Sequence, residues 1–241
     1  MVMPTIEKTK TTYTLSIALF AIGLVTGLLF YTVALWGRLE ASQFEPPVMG
    51  DEPLESLRCP TLITPNETSY ASAWIENPTD RPMPRFIETR ISEGSVIFVR
   101  ELEERIDLQP GEQHELVWPM TASDAAWGRM ILLHATVLRN NTFASQSGVC
   151  GVVVANVPFV TGRQLSAALL TTTVLGLVVG TGMWWTIHRP VVGQALQKGQ
   201  MMAIFTLILL IGLLVTLTGQ WVFGLGIFAI LLLFSVTTFA R

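Results

Sequence analysis

The chain's 241 residues predict a membrane α-helical part of four spans, with an all-β sandwich inserted between the first span and the second. Three observations carry this. No Asp, Glu, Lys, Arg or His lies between Lys198 and Arg241. Two further uncharged apolar runs occur, one beginning at Thr11 and one at Gln164. Between those two, the composition changes after Gly37 to short strand-like runs divided by turn residues.

Residues 1–12 form a short tail in which Lys8 and Lys10 precede the first apolar run. The span 13–36 is long enough to cross a bilayer with some tilt. A secretory signal peptide is the alternative, since a basic segment precedes it. Its apolar core exceeds the usual run of about 7–15 residues, and no small-x-small cleavage site follows Trp36, so a retained anchor is the better reading. The second span is 164–187, followed by a 188–200 loop that opens with His188-Arg189-Pro190. As one helix the charge-free C-terminal run would reach about 63 Å, roughly twice the hydrocarbon core, so it must fold back. Thr218-Gly219-Gln220 is the polar tripeptide near its middle, giving spans 201–217 and 221–240.

Lys8, Lys10, Arg189, Lys198 and Arg241 then segregate to one side, with Glu7 as the single acid there. The positive-inside rule makes that side cytoplasmic, so both chain ends are expected in the cytoplasm of a multi-pass plasma-membrane protein. Residues 37–163 fall on the extracytoplasmic side. They hold ten Arg, no Lys and seventeen Asp plus Glu, a formal charge of −7. Trp36, Trp184, Trp185 and Trp221 lie at the expected helix ends, where an indole favours the interface.

Within the linker 37–56, the stretch 44–56 is rich in Pro and acids and carries too little apolar material to pack. Within 57–160, strand-like runs occupy 58–64, 70–76, 84–91, 95–101, 114–120, 129–138 and 148–157. Turn clusters such as Asn77-Pro78-Thr79-Asp80 and Pro110-Gly111-Glu112 separate them. Seven short strands at this spacing argue for an antiparallel sandwich, and the length suffices for one such core.

The Asn-Pro-Thr turn, then Leu108-Gln109-Pro110-Gly111-Glu112 leading into an apolar strand with Trp118, resembles bacterial immunoglobulin-like and fibronectin-III-like extracytoplasmic modules. The segment Ser123 to Gly128 is similar to the corner before the penultimate strand of those folds, with Trp127 where Tyr is usual. The resemblance covers about 55–160. It implies a fold and transfers no activity.

Cys59 and Cys150 lie in the first and last of these strands. An even pair on the oxidising side of a membrane points to a disulfide. Two free thiols, or a metal or redox pair, are the alternatives, and the latter has no CxxC spacing or adjacent His to support it.

The four spans contain no charged residue, which argues against a pump, a proton-coupled carrier or an intramembrane protease acting alone. They do contain closely spaced small residues: Gly23 and Gly27, Gly176 and Gly180, and Gly224 near Gly226. Such spacing lets helix backbones approach, either within this chain or against another subunit. Thr171-Thr172-Thr173 could hydrogen-bond across helices or to its own backbone. The cytoplasmic portions are too short for a catalytic or signalling domain.

No GxSxG, phosphate loop or nucleophile–base spacing occurs in the β region. The one soft-ligand grouping is His114 with Met120 and Met130 with His134, each pair sharing a strand face because both spacings are even. Cu(I) favours such ligands, but Met fills cores routinely and His134 lies in an apolar strand, so a structural role is favoured and no metal site is assigned. Arg100 to Arg105 reads as a solvated edge, and Asn66-Glu67-Thr68 and Asn140-Asn141-Thr142 match the glycosylation sequon.

The function expected is therefore non-catalytic. The chain reads as a membrane subunit or accessory protein whose outer domain docks another membrane or envelope protein, while its helices anchor or pack within a complex. No cofactor and no nucleic-acid partner is expected; the lipid bilayer is the other partner. The alternative is an outer domain that binds copper or a small ligand and delivers it to a membrane enzyme.

Overall fold

The structure, a computed structural model, describes residues 4–44, 52–139, 143–189 and 192–239. It divides into two compact units: Met1–Leu35 with Ser166–Arg241, and Trp36–Leu165. The Asn140-Asn141-Thr142 sequon and the Pro46–Pro47 part of the linker lie outside the described residues.

The first unit is helical. It is built from most of α1 (Pro4–Gln43) and α2 (Gly162–Ile187), with α3 (Gln194–Leu217) and α4 (Trp221–Phe239). The segments Thr11–Gln43, Gly162–Ile187 and Gln194–Leu217 are long and apolar enough to cross a membrane, and Trp221–Val236 is a shorter apolar helix. Apolar side chains all round a helix suit lipid rather than water, which marks the chain as a membrane protein. The α3–α4 reversal falls on Thr218-Gly219-Gln220, where Gly219 takes φ +96° and its N–H donates to the Thr216 carbonyl at 3.1 Å.

Small residues set the helix contacts. Gly23 of α1 lies against Gly176 of α2 so closely that a Cβ at Gly23 would stand 2.6 Å from the Leu177 amide nitrogen. One at Gly180 would stand 2.7 Å from the Phe20 nitrogen, and one at Gly27 2.6 Å from Thr173 Cγ2. Ser16 donates to the Gly180 carbonyl at 2.9 Å. Thr173 does both things open to it, donating to Leu169 O at 2.8 Å in its own helix and meeting Thr26 Oγ1 of α1 at 3.2 Å. A Cβ at Gly224 would collide with Thr216 Oγ1, and the Gly224 carbonyl accepts from the Tyr31 hydroxyl at 2.6 Å, whereas Gly226 has open space around it. Trp184 is buried under Tyr13 and His188 rather than standing free at a helix end.

The second unit is a two-layer β-sandwich. Its strands are β1 (Glu52–Pro53), β2 (Leu62–Ile63), β3 (Thr68–Glu76), β4 (Met83–Glu93), β5 (Ser95–Leu108), β6 (Gln113–Thr121), β7 (Met130–Val137) and β8 (Gln146–Val154). One sheet runs β1-β8-β7-β4-β5 with β2 also on β8, and the other pairs β3 with β6. Alternating burial along β3 and β6 turns Ala71, Ala73, Leu116, Trp118 and Met120 inward, onto Ile87, Ile91, Ile131, Leu133 and Val152 of the larger sheet.

Four differences from the sequence-based expectation have physical causes. The antiparallel rule holds for the long strands, but β1 and β2 pair parallel with β8. They are two-residue additions reached by a long connection, so no hairpin dictates their direction. The helix α1 runs on to Gln43 through part of the expected linker, because Leu39-Glu40-Ala41 favours helix and Ala41 and Phe44 bury against Ala126 and Leu132. The strand β5 continues through the charged run to Leu108, with Arg100 to Arg105 on an edge strand. Trp127 does not fill a buried corner: it is two-thirds exposed, with φ +52°.

Candidate functional site

Strands β3 and β6 form a sheet of two, and no further layer of described residues covers their outward face. Period-two alternation places Tyr70, Ser72 and Trp74 of β3 outward, beside Pro119, Val117 and Glu115 of β6 in direct register. Tyr70 and Trp74 are half exposed or more, and Val117 is exposed to the same degree. Aromatic and branched apolar residues usually face inward on a strand. Here they make a contiguous outer patch that water must cover.

Trp74 also borders a cleft of about 570 Å³ at one end of the sandwich. Glu52 and Glu55 from the β1 region, Glu76 from β3, and Phe143 share its walls. Arg85 lies in it as well. On β4, Met83, Arg85, Ile87 and Thr89 alternate inward, so the sequence turns a guanidinium toward the core side of the sheet. Arg85 is 4% exposed, and among the described residues its Nε and Nη1 have no hydrogen-bond partner. Its charge is met by the Phe143 ring, 5.1 Å from the guanidinium carbon. Burial lowers its pKa from the ordinary arginine value. A guanidinium keeps its proton regardless, so the cleft presents a fixed positive charge behind a carboxylate rim. That arrangement can receive an anionic group, with a cationic neighbour on the rim. Ser56 is committed to the Trp74 carbonyl at 2.7 Å.

The turns that hold these strands are built by Asn77. Its buried side-chain nitrogen donates to the carbonyls of Arg81 (2.8 Å), Leu108 (3.0 Å) and Gln109 (3.1 Å). This joins the β3–β4 turn to the β5–β6 turn. Gln109 N donates in turn to Glu112 Oε2 at 2.6 Å, and Gly111 takes φ +70°.

Cys59 and Cys150 form a disulfide across 91 residues of sequence, with Cα atoms 6.4 Å apart. The histidines and methionines do not converge. Met120 is buried between the sheets, with His114 half-buried on the same side of β6. Met130 and His134 lie on the other face of β7, the side on which Met130 packs with Ala41 and Phe44. Thr136 Oγ1 is 3.4 Å from His134 Nε2. Among the described residues no three His, Cys, Asp or Glu side chains gather as a metal-holding group. In the sequence, Arg85 is marked by its alternation with Met83 and Ile87, a signal that its charge masks.

No protein-family model and no curated protein matches the sequence. Among solved structures, a β-glucuronidase 2 of Bacteroides uniformis is 14% identical over 38% of this chain and 12% of its own, with a TM-score of 0.28. A cycloisomaltooligosaccharide glucanotransferase of Paenibacillus sp. is 12% identical over 44% of this chain and 14% of its own, at 0.32. The CARDB domain of a Pyrococcus furiosus protein, in complex with di-metal ions, is 16% identical over 42% of this chain and 90% of its own, at 0.31. None of these likenesses assigns a family or an activity.

Proposed function

We propose that the chain is a non-catalytic membrane subunit or accessory protein whose immunoglobulin-like sandwich docks a protein partner outside the membrane. In this reading all four helices span, both chain ends are cytoplasmic and 37–163 is extracytoplasmic. The disulfide supports that side, since such bonds persist in oxidising compartments.

The uncovered face of the two-stranded sheet carries the proposal. Tyr70, Trp74 and Val117 offer the aromatic and apolar centre that protein interfaces use, and the Arg85 cleft beside Trp74 would take a carboxylate from the partner. Native mass analysis after mild detergent extraction tests it. A co-purifying chain should be present with the unaltered protein and lost with Trp74→Ala or Val117→Glu. A monodisperse monomer, or a companion indifferent to both substitutions, contradicts it.

A further inference from the structure

A second exposed apolar region lies at the sheet end from which the chain passes into α2. It is assembled from three separate loops. The β4–β5 turn contains an irregularity: Ser95 pairs with Glu93 and Val99 with Ser92, so Val96, Ile97 and Phe98 have no partner on β4 and loop out. The Ser95 hydroxyl accepts from the Ile97 and Phe98 amides at 3.1 and 3.2 Å, which holds the bulge open. The Trp127 amide donates to the Gly94 carbonyl at 3.0 Å, bringing the second loop against the first. Val154 N donates to Arg129 O at 2.8 Å, tying on the third, 155–161.

Ile97 is 83% exposed, Phe98 68%, Trp127 66% and Phe159 101%. Trp127 and Phe159 are also the described non-glycine residues with positive φ, +52° and +66°. Bulky side chains resist that backbone region, and here both are aromatics turned outward at the same end of one sheet. Folding alone gives no reason to hold them there.

We infer that this end is a lipid-contacting wedge, in which Ile97, Phe98, Trp127 and Phe159 enter the zone between headgroups and acyl chains. Covalent continuity identifies the occupant as lipid. Phe159 precedes Gly162, the first residue of an apolar helix long enough to span, by three residues, so at most about 10 Å of extended chain separates them. Exposed Arg129 and Arg163 flank the same end, where guanidinium groups would meet lipid phosphates. A wedge of this chemistry anchors through aromatic and branched residues at shallow depth, as interfacial elements do. The wedge involves none of the residues on the outer β3–β6 face. The inference is independent of the docking role proposed for that face.

Site-directed spin labelling of the full chain in phosphatidylcholine–phosphatidylglycerol vesicles tests it. The two native cysteines are paired, so a single introduced cysteine takes the label. At Ile97→Cys, Phe98→Cys, Trp127→Cys and Phe159→Cys, oxygen should relax the label several-fold more effectively than a water-soluble nickel complex. At Tyr70→Cys and Glu103→Cys the order should reverse. All six positions are at the surface, so the variants should fold. Nickel-dominated relaxation at the four wedge positions would overturn the inference. So would exclusion of both reagents there, which would mean that protein covers them.

Discussion

The guanidinium of Arg85 lies over the ring of Phe143 at 5.1 Å, and among the described residues its Nε and Nη1 have no hydrogen-bond partner. A cation on an aromatic face gains about 0.5–2 kcal/mol, against several kcal/mol for desolvating an ion. Arg85 is therefore a net cost to the isolated fold. Its lowered pKa records the same penalty, because the folded state disfavours the charged form. Arginine stays protonated through the accessible range, so the penalty is constant and adds no slope to stability between about pH 5 and pH 9.

Replacing it should show this. Arg85→Met is expected to stabilise the sandwich by about 1–4 kcal/mol, in the manner of buried charges exchanged for apolar groups. Denaturant unfolding of the full chain in detergent, followed by tryptophan fluorescence, measures the change. A loss of stability of that size would mean that Arg85 already has a partner in the folded chain.

The disulfide closes most of the sandwich into one loop. The Cys59→Ser/Cys150→Ser double variant should lose about 4–5 kcal/mol on the chain-entropy account, and reductant should lower the unfolding midpoint of the natural chain alike. Equal midpoints with and without reductant would contradict it.

Gly37 and Gly151 meet backbone to backbone, where α1 crosses the outer face of β8. A Cβ on Gly37 would stand 2.8 Å from the Gly151 carbonyl oxygen, and one on Gly151 would collide with the Gly37 carbonyl. Gly151→Ala should destabilise the sandwich by about 1–3 kcal/mol through forced displacement. Gly226→Ala, with nothing within 4 Å, serves as the neutral comparison in the same thermal melt.

Asn77 satisfies carbonyls from two turns at once, so its removal leaves buried acceptors unpaired. Asn77→Ala should cost about 2–3 kcal/mol and raise amide exchange at the Gly111 N–H, which donates to the Asn77 carbonyl at 2.8 Å. Unchanged exchange there would show that the turns hold without it.

The parts of this structure that follow from local chemistry were legible in the sequence. Charge-free runs located the helices, Thr218-Gly219-Gln220 marked their reversal, and Asn77-Pro78 and Pro110-Gly111 marked turns that the chain does make. Tertiary choices were not. The parallel pairing of β1 and β2 depends on where a long connection returns. The continuation of α1 to Gln43 depends on a face of β7 for Phe44 and Ala41 to cover. The Val96-Ile97-Phe98 bulge reads as ordinary strand, since an apolar triplet does not reveal that its partner strand has stopped. Arg85 and Trp74 reverse the usual placement of their residue types: the arginine lies within and the tryptophan is half exposed.

The side of the membrane on which the sandwich stands decides whether its exposed face can meet an outside partner at all. Labelling sealed cells with a membrane-impermeant maleimide measures this directly, using Tyr70→Cys on β3 and Gln197→Cys on α3, both exposed. The account predicts that Tyr70→Cys labels in intact cells and Gln197→Cys only after permeabilisation. Labelling of Gln197→Cys in intact cells, with Tyr70→Cys protected, would contradict it.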